Sequence, residues 1–578
     1  MQLGITQEQS GQNDQKWNAV MNRQVTLSAL KTTSPTVLIV GGGINGVGTF
    51  RDLALNGVDV LLVDRADFCS GASAASSHMA HGGIRYLENG EFQLVREAVQ
   101  ERNRMIENAP HLVRPLPTTI PIFKIFSGLL NAPLKFMGWL DKPSERGALV
   151  IKIGLIFYDA FTRAQKTVPT HSMTGRRQSL AKFPEMNPSI RYAATYYDGS
   201  IISPERLTLE LLLEGEAEGE HARALNYMSV KNVDGQSIRL IDEISGEEYK
   251  ISPRLVINAA GPWIDFTNGC LGLSTHYIGG TRGAHLVLKN AELRKEIGEH
   301  MIFFELEDGR LVLIFPLGDK VLIGTSEHAI QDPDQARCTQ DEVDYFIGML
   351  GRVFPGIQVD PSQIVFRFSG VRPLPYTHAK NVLQVTRDHH LQEDLHGSLP
   401  VYSLVGGKWT SFRAFSEQVT DKALAFLGLP RKAGTHNLPI GGGRDYPHDQ
   451  EGIKKWVECL QASTGLPAKQ VETLFQRYGT RARQVCEFIL AEQDAPIVTC
   501  PNFSRREILY LVQVEKIIHL DDLLLRRTLL AYLGELNLPL IKEMADAVGS
   551  GLGWNALQKK TEMERALDIL ADKHGVKF

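Results

Sequence analysis

Thr36-Val-Leu-Ile-Val-Gly-Gly-Gly-Ile-Asn-Gly-Val-Gly48, followed by Val60-Leu-Leu-Val-Asp64, sets the architecture of this chain. A run of β-formers breaks into glycines at Gly41, Gly43 and Gly46, and eighteen residues past Gly46 a second apolar run ends on an acid, Asp64. This is the G-x-G-x-x-G dinucleotide fingerprint in the context it requires, after a strand and before a helix. Gly41 permits a tight turn, Gly43 lets a pyrophosphate approach the backbone, and Gly46 lets the helix pack on the strand. Asn45 lies in the same loop and is assigned with it to the cofactor. The helix N-terminus adds N–H donors and a positive dipole end. Asp64 is placed to accept hydrogen bonds from a ribose. The pattern predicts a bound dinucleotide, FAD or NAD.

Working outward, 578 residues are too many for one ordinary domain. With 43% hydrophobic and 22% charged residues the chain can build a sizeable core. A net charge of −4 and no long basic run speak against nucleic acid as a partner. Cys69, Cys270, Cys338, Cys459, Cys486 and Cys500 are scattered without a C-x-x-C, which reads as reduced cytosolic thiols and no metal site. The first 33 residues are polar and lack the pattern of a secretory signal; they are read as a tail or short helix.

Ser70 to Gly83 is too poor in bulky residues to be a core element and is read as a loop lying on a ligand. Helices are predicted over about 91–108 and, amphipathic, over 205–215; strands over 224–258. The runs Ala284–Leu288, Leu311–Phe315, Val321–Gly324 and Val382–Val385 suggest an antiparallel sheet forming a second layer. Tyr402–Thr410 is another strand–glycine–helix junction, Pro439–Arg444 looks like a linker, and the pattern beyond it is helical, with Ser504-Arg-Arg-Glu507 as a capping box. Between 120 and 161, Lys124, Lys135 and Lys152 interrupt every apolar run, so none reaches the ~18 clean residues of a membrane span. Two readings stand for this region: a helix lying in the bilayer interface, or a helical pair packed on the core.

Ser76-Ser-His-Met-Ala-His-Gly-Gly-Ile-Arg-Tyr-Leu-Glu88, Asn258-Ala-Ala-Gly-Pro-Trp263, Ile323-Gly-Thr-Ser-Glu327, Ser369-Gly-Val-Arg-Pro373, Thr386-Arg-Asp388 and Gly406-Gly-Lys-Trp-Thr-Ser-Phe-Arg413 occur in order. Together they closely resemble the FAD-dependent, respiratory glycerol-3-phosphate dehydrogenases. The resemblance implies an α/β fold. A doubly wound Rossmann-type FAD domain (34–435) is interleaved with an antiparallel-sheet α+β substrate domain (about 85–200 and 275–390), and a helical domain follows (436–578). It also implies oxidation of sn-glycerol 3-phosphate to dihydroxyacetone phosphate, with electrons passing to a membrane quinone, or to oxygen in the oxidase branch. Only thirteen residues separate Pro373 from Arg387, where the oxidases carry a long insert, which favours the dehydrogenase. Peripheral attachment to the cytoplasmic membrane's inner face and a homodimer are further expectations.

The same resemblance assigns the chemistry. His285 is the general base, Arg372 stabilises the developing alkoxide, and Glu327 helps accept a proton. Arg85, Tyr86, Arg387 and Lys408 bind substrate, with Arg387 and Lys408 at the phosphate, where guanidinium and ammonium groups are the natural ligands. Beyond the fingerprint, FAD is expected to meet Ser76, Ser77, His81, Gly82, Val230, Gly261, Gly407 and Lys408, the last two opening a helix toward the flavin. His78 stands where the family usually has Lys, and Glu327 where it usually has Asp.

Overall fold

The computed structural model describes residues 23–84, 91–125, 147–162, 167–305, 311–377 and 388–578. Its centre is a six-stranded sheet in the order His390–His396, Leu399–Val405, Leu255–Asn258, Val37–Val40, Val60–Val63, Ala222–Leu225. All neighbours pair in parallel except the first two, which form an antiparallel hairpin. Parallel strands are buried on both faces, so they read as unbroken apolar runs. The period of two then divides their side chains. Val37, Ile39, Val60 and Leu62 pack under the fingerprint helix Ile44–Leu55 and the helix Phe412–Leu427. Leu38, Val40, Leu61 and Val63 face Leu240, Tyr249 and Ile251 of a three-stranded antiparallel sheet, 228–251. The helix Arg23–Leu30 docks there too, through Leu27 and Leu30.

The second layer is a large mixed sheet. His328–Ala329 and Lys320–Gly324 flank one side of Thr281–Leu288, and Ile364–Arg372 pairs with its other side. The sheet continues through Leu311–Leu317, Met301–Glu305, Val113–Ile122 and Tyr192–Ile201. Three of the four strand runs expected from sequence lie side by side in it; the fourth, Val382–Val385, falls outside the described residues. Pairing is antiparallel except where Met301–Glu305 meets Val113–Ile122 in parallel. Leu286, Leu288 and Ile314 pack on Phe346 and Leu350 of the helix Gln340–Val353. Val287, Phe315 and Phe366 face the opposite way, onto the C-terminal helices.

Three expectations change. The helix Pro204–Glu216 is not amphipathic: every residue in it is buried. Its charges survive burial by pairing, Glu214 with Arg51 at 2.7 Å, Glu210 with His111 at 2.8 Å and Glu216 with Lys516 at 2.9 Å. Pro439–Arg444 is no loose linker, since Gly441–Gly443 is a buried turn. A Cβ on Gly442 would lie 1.9 Å from the Tyr478 carbonyl oxygen. At Ser504 half of the capping box forms: its hydroxyl accepts from the Glu507 N–H, while the Glu507 carboxylate turns to Arg477 and Tyr478.

The C-terminal helices are fastened to the nucleotide-binding layer by buried charge. Asp67, fully buried just beyond the second strand, accepts from Arg527 Nη1 at 2.7 Å and from Arg526 Nε at 2.5 Å. Burial alone would raise the Asp67 carboxyl; the two guanidiniums overcome it and hold the group at about 2. Removing one partner of a buried pair leaves uncompensated charge in low dielectric. Asp67→Ala is therefore expected to cost about 3–5 kcal/mol, read as a lowered midpoint of denaturant unfolding.

Candidate active site

A cavity of about 1310 Å³ lies between the two sheets. That exceeds the ~300–1,000 Å³ of ordinary small-molecule pockets and suits a dinucleotide plus a substrate. Gly41 has φ +114°, and a Cβ there would sit 2.5 Å from the Ala259 carbonyl oxygen. A Cβ on Gly46 would lie 1.9 Å from Gly41 O, the close helix–strand contact expected of this position. Gly43 caps the helix Ile44–Leu55, whose N-terminus opens on the cavity.

Asp64 lines the cavity, and its carboxylate also holds the loop, accepting from the Gly42 N–H at 2.6 Å and the Ala66 N–H at 2.9 Å. Burial lifts its carboxyl to about 6. Val230 and Gly261 line the cavity. Gly261, at φ +58°, would project a Cβ into open space. Gly407, at φ +94°, touches Asn45, for a Cβ there would meet Asn45 Nδ2 at 2.6 Å. The helix expected at Gly407 and Lys408 begins later, at Phe412, after a turn. Bare glycine backbone, a helix N-terminus and an acid at the strand end fit FAD: Gly41, Gly43 and Gly261 would border its pyrophosphate and Asp64 its ribose.

At another part of the cavity His285 sits between cross-strand neighbours Gly324 and Phe368. Its ring stacks on Phe368 with centroids 4.8 Å apart and an 8° interplanar angle. Its Cδ2 lies 2.2 Å from where a Gly324 Cβ would be. Ser77 Oγ is 2.8 Å from His285 Nε2. Thus Ser77, assigned by sequence to the cofactor, lines the cavity while holding the histidine. Burial, then the charges of Arg372 and His78, bring the imidazole down to about 3, so it is unprotonated at ordinary pH. Gly283 performs for Arg372 what Gly324 does for His285: a Cβ there would lie 2.4 Å from Arg372 Nη2. The guanidinium donates to Thr325 Oγ1 at 2.7 Å. A Cβ on Gly370 would meet the Ala75 Cβ at 2.5 Å, so the Ser70–Ser77 loop lies close on this strand.

Ser76, His81 and Lys408 also line the cavity; the His81 N–H donates to Thr410 Oγ1, and the Thr410 hydroxyl donates back to the His81 carbonyl. Three expected residues, Gly46, Gly82 and Glu327, are absent from its walls. Gly82 turns its N–H away, to Tyr158 Oη and Asp198 Oδ1, both at 3.1 Å. Glu327 is also off the lining; the buried acid here is Glu342, which accepts from Ser326 Oγ. Arg85, Tyr86 and Arg387 fall outside the described residues. Sequence reasoning missed Gly283, Gly324 and Gly370, although Gly324 and Gly370 lie inside motifs already singled out. It also missed Tyr532, Arg526 and His574, which the C-terminal helices bring to the cavity wall without any local signal.

His78, replacing the family lysine, is fully buried against Tyr532 at a centroid distance of 5.6 Å. Burial holds it near 4 and His574 near 3. With His285, these imidazoles stay neutral in the fold, while in the unfolded chain they take protons from about pH 6.5 downward. Their contribution is complete above pH 6.5 and is lost as pH falls toward 4 and 3, by up to ~1.4 kcal/mol per unit for each group. The thermal midpoint of the apoprotein is expected to drop from pH 6.5 to 4, and His574→Gln to flatten that drop.

The family described as "FAD dependent oxidoreductase" matches residues 36–411, and "C-terminal domain of alpha-glycerophosphate oxidase" matches 433–559. A glycerol-3-phosphate dehydrogenase of Synechocystis is 33% identical over 527 residues, covering 87% of this chain and 90% of the relative. Glycerol-3-phosphate dehydrogenase 1 of Mycobacterium bovis is 30% identical, covering 85% and 90%. The glycerol-3-phosphate dehydrogenase of Bacillus halodurans, solved with FAD, shares the fold at a TM-score of 0.73 with 22% identity, covering 95% of this chain and 97% of its own. With a family match over most of the chain and relatives aligned end to end around one dinucleotide cavity, the protein belongs to the FAD-dependent oxidoreductases and, among them, to the glycerol-3-phosphate dehydrogenases.

Proposed function

We propose that this enzyme oxidises sn-glycerol 3-phosphate to dihydroxyacetone phosphate and passes the electrons to a membrane quinone. The observation that carries the reading is the buried His285 beside the part-buried Arg372, set on adjacent strands in the FAD cavity and each seated over a glycine of its neighbour. Bound FAD supplies the two-electron, hydride-accepting chemistry. The neutral His285 takes the proton of the reacting hydroxyl, and Arg372 stabilises the negative charge that develops on its oxygen. Ser77 orients the imidazole through Nε2. Lys408 and Arg387 hold the phosphate dianion, with Arg85 in support and Tyr86 on the substrate. His285 is itself only 3% exposed, which limits the access of water to its ring.

No described helix is long and apolar enough to cross a membrane. The helix Ala148–Thr162 supports surface attachment instead. It buries Ile151, Leu155 and Tyr158 against Val95 and Val99, and turns Leu149, Ile153, Ile156 and Phe157 outward, each 41–52% exposed. The inner face fits the packed reading and the outer face supports the interfacial one; residues 126–146 lie outside the described set. An apolar outer face near a lysine suits the bilayer interface, where a quinone is met.

Anaerobic titration with sn-glycerol 3-phosphate is expected to bleach the oxidised flavin band stoichiometrically. A bound flavin that stays oxidised would retire this substrate in favour of another polyol phosphate, and hydrogen peroxide formed in air at the full turnover rate would replace the quinone by oxygen. Gly324→Ala is expected to displace the imidazole and lower kcat about a hundredfold or more, with FAD content retained, measured by steady-state rates and flavin absorbance.

A further inference from the structure

The segment Asp332–Arg337 crosses the cleft where the nucleotide half of the cofactor belongs, and its contacts join parts of the protein far apart in sequence. Arg65, the residue after the ribose-side acid Asp64, forks onto both carboxylate oxygens of Asp334, one bond measuring 3.3 Å. Trp263 Nε1 donates to the same carboxylate at 3.1 Å, and the Arg65 guanidinium lies over the Trp263 ring, 4.6 Å from its centroid. Trp263 in turn rests on the ligand loop, since a Cβ on Gly71 would meet its ring at 3.1 Å. One carboxylate thus ties the end of the second strand to the Gly261 segment, and both line the cavity.

The segment's other end is held by the C-terminal helix Ala556–His574. Arg337 donates through Nε and Nη2 to Asp572 Oδ2, at 3.1 and 2.7 Å. Its Nη1 turns back to the Asp334 carbonyl at 3.0 Å, so the two anchor points brace each other. Arg282, on the strand that carries His285, donates to the Arg337 carbonyl at 2.6 Å. Within the segment only Pro333 is fully buried. The Arg65–Asp334 pair is about half exposed on each side, 48% and 52%, and Arg337–Asp572 is 31% and 64% exposed.

We infer that Asp332–Arg337 is a clasp over the nucleotide half of the FAD site, closed by Asp334 on Arg65 and Trp263 and braced by Asp572 of the C-terminal helix, and that it sets how fast FAD leaves. A bidentate arginine–carboxylate pair is the strongest form of surface ion pair, yet in water it remains weak and salt-sensitive. The clasp therefore opens without unfolding any core, and its opening is governed by ionic strength. The helical domain, which supplies none of the fingerprint, reaches the clasp through this brace.

The test is FAD release from holoenzyme on dilution, followed by the rise of free-flavin fluorescence, at about 20 mM and about 1 M NaCl. Wild-type release is expected to speed up with salt. Asp334→Asn is expected to release FAD about three- to tenfold faster at low salt and to lose most of the salt dependence. Asp572→Asn should give a smaller change of the same kind. Glu451→Gln, which breaks a more exposed pair with Lys455 on an outer helix, should release at the wild-type rate. Release from Asp334→Asn at the wild-type rate would overturn the inference. So would an acceleration equal at both salt concentrations, the signature of a merely loosened fold.

Discussion

Backbone approaches that leave no room for a Cβ hold this protein's working parts in place. Gly41 against Ala259 closes the strand Val37–Val40 on Leu255–Asn258, and Gly46 against Gly41 seats the helix on its own loop. Gly370 against Ala75 lays the ligand loop on the substrate sheet, and Gly283 and Gly324 leave the spaces occupied by the Arg372 and His285 side chains. Interiors are packed like crystals, so a methyl group at any of these points moves a wall rather than filling a gap. The cavity is thus defined by what its glycines lack.

Charge does the corresponding work away from the cavity. Arg526 and Arg527 enter the nucleotide-binding layer to reach Asp67, Lys516 reaches Glu216, and Arg206 reaches Glu515. Each ion is expensive to bury alone, so each contact is made with its partner or at heavy cost. The C-terminal helices therefore cannot leave the catalytic body without stranding charges on both sides, and they contribute Arg526, Tyr532 and His574 to the cavity wall. Where their contacts are exposed instead, as at Asp572, the coupling is weaker and responds to salt.

The reacting groups follow from the same environment. A histidine surrounded by Phe368, a glycine strand and Arg372 stays unprotonated, which a base requires. Ser77 reaches it from the cofactor loop, so one hydroxyl links cofactor side and substrate side.

The nucleotide layer was legible in the chain because its cause is local: the glycine spacing, the apolar run before it and the acid eighteen residues after Gly46 are all short-range. His285, Arg372 and Lys408 could be named as candidates from their motifs, and the structure brings them to one cavity. Periodicity failed at Pro204–Glu216, whose charges look solvent-facing until partners from Arg51 to Lys516 surround them. It failed at Gly441–Gly443, where glycine signals close packing rather than a free hinge. Gly82 sits in the right motif but turns its N–H elsewhere, and Glu327 lies off the cavity lining, because a motif fixes a residue's place in the chain and not its direction. By itself the sequence determined the dinucleotide fold and the cofactor class, and it named candidates for the reacting groups. Tertiary structure alone decided which glycines seat which side chain, that the C-terminal helices wall the cavity and that Asp334 closes it. Those contacts join residues tens to hundreds of positions apart, and no pattern along the chain records a distance in space.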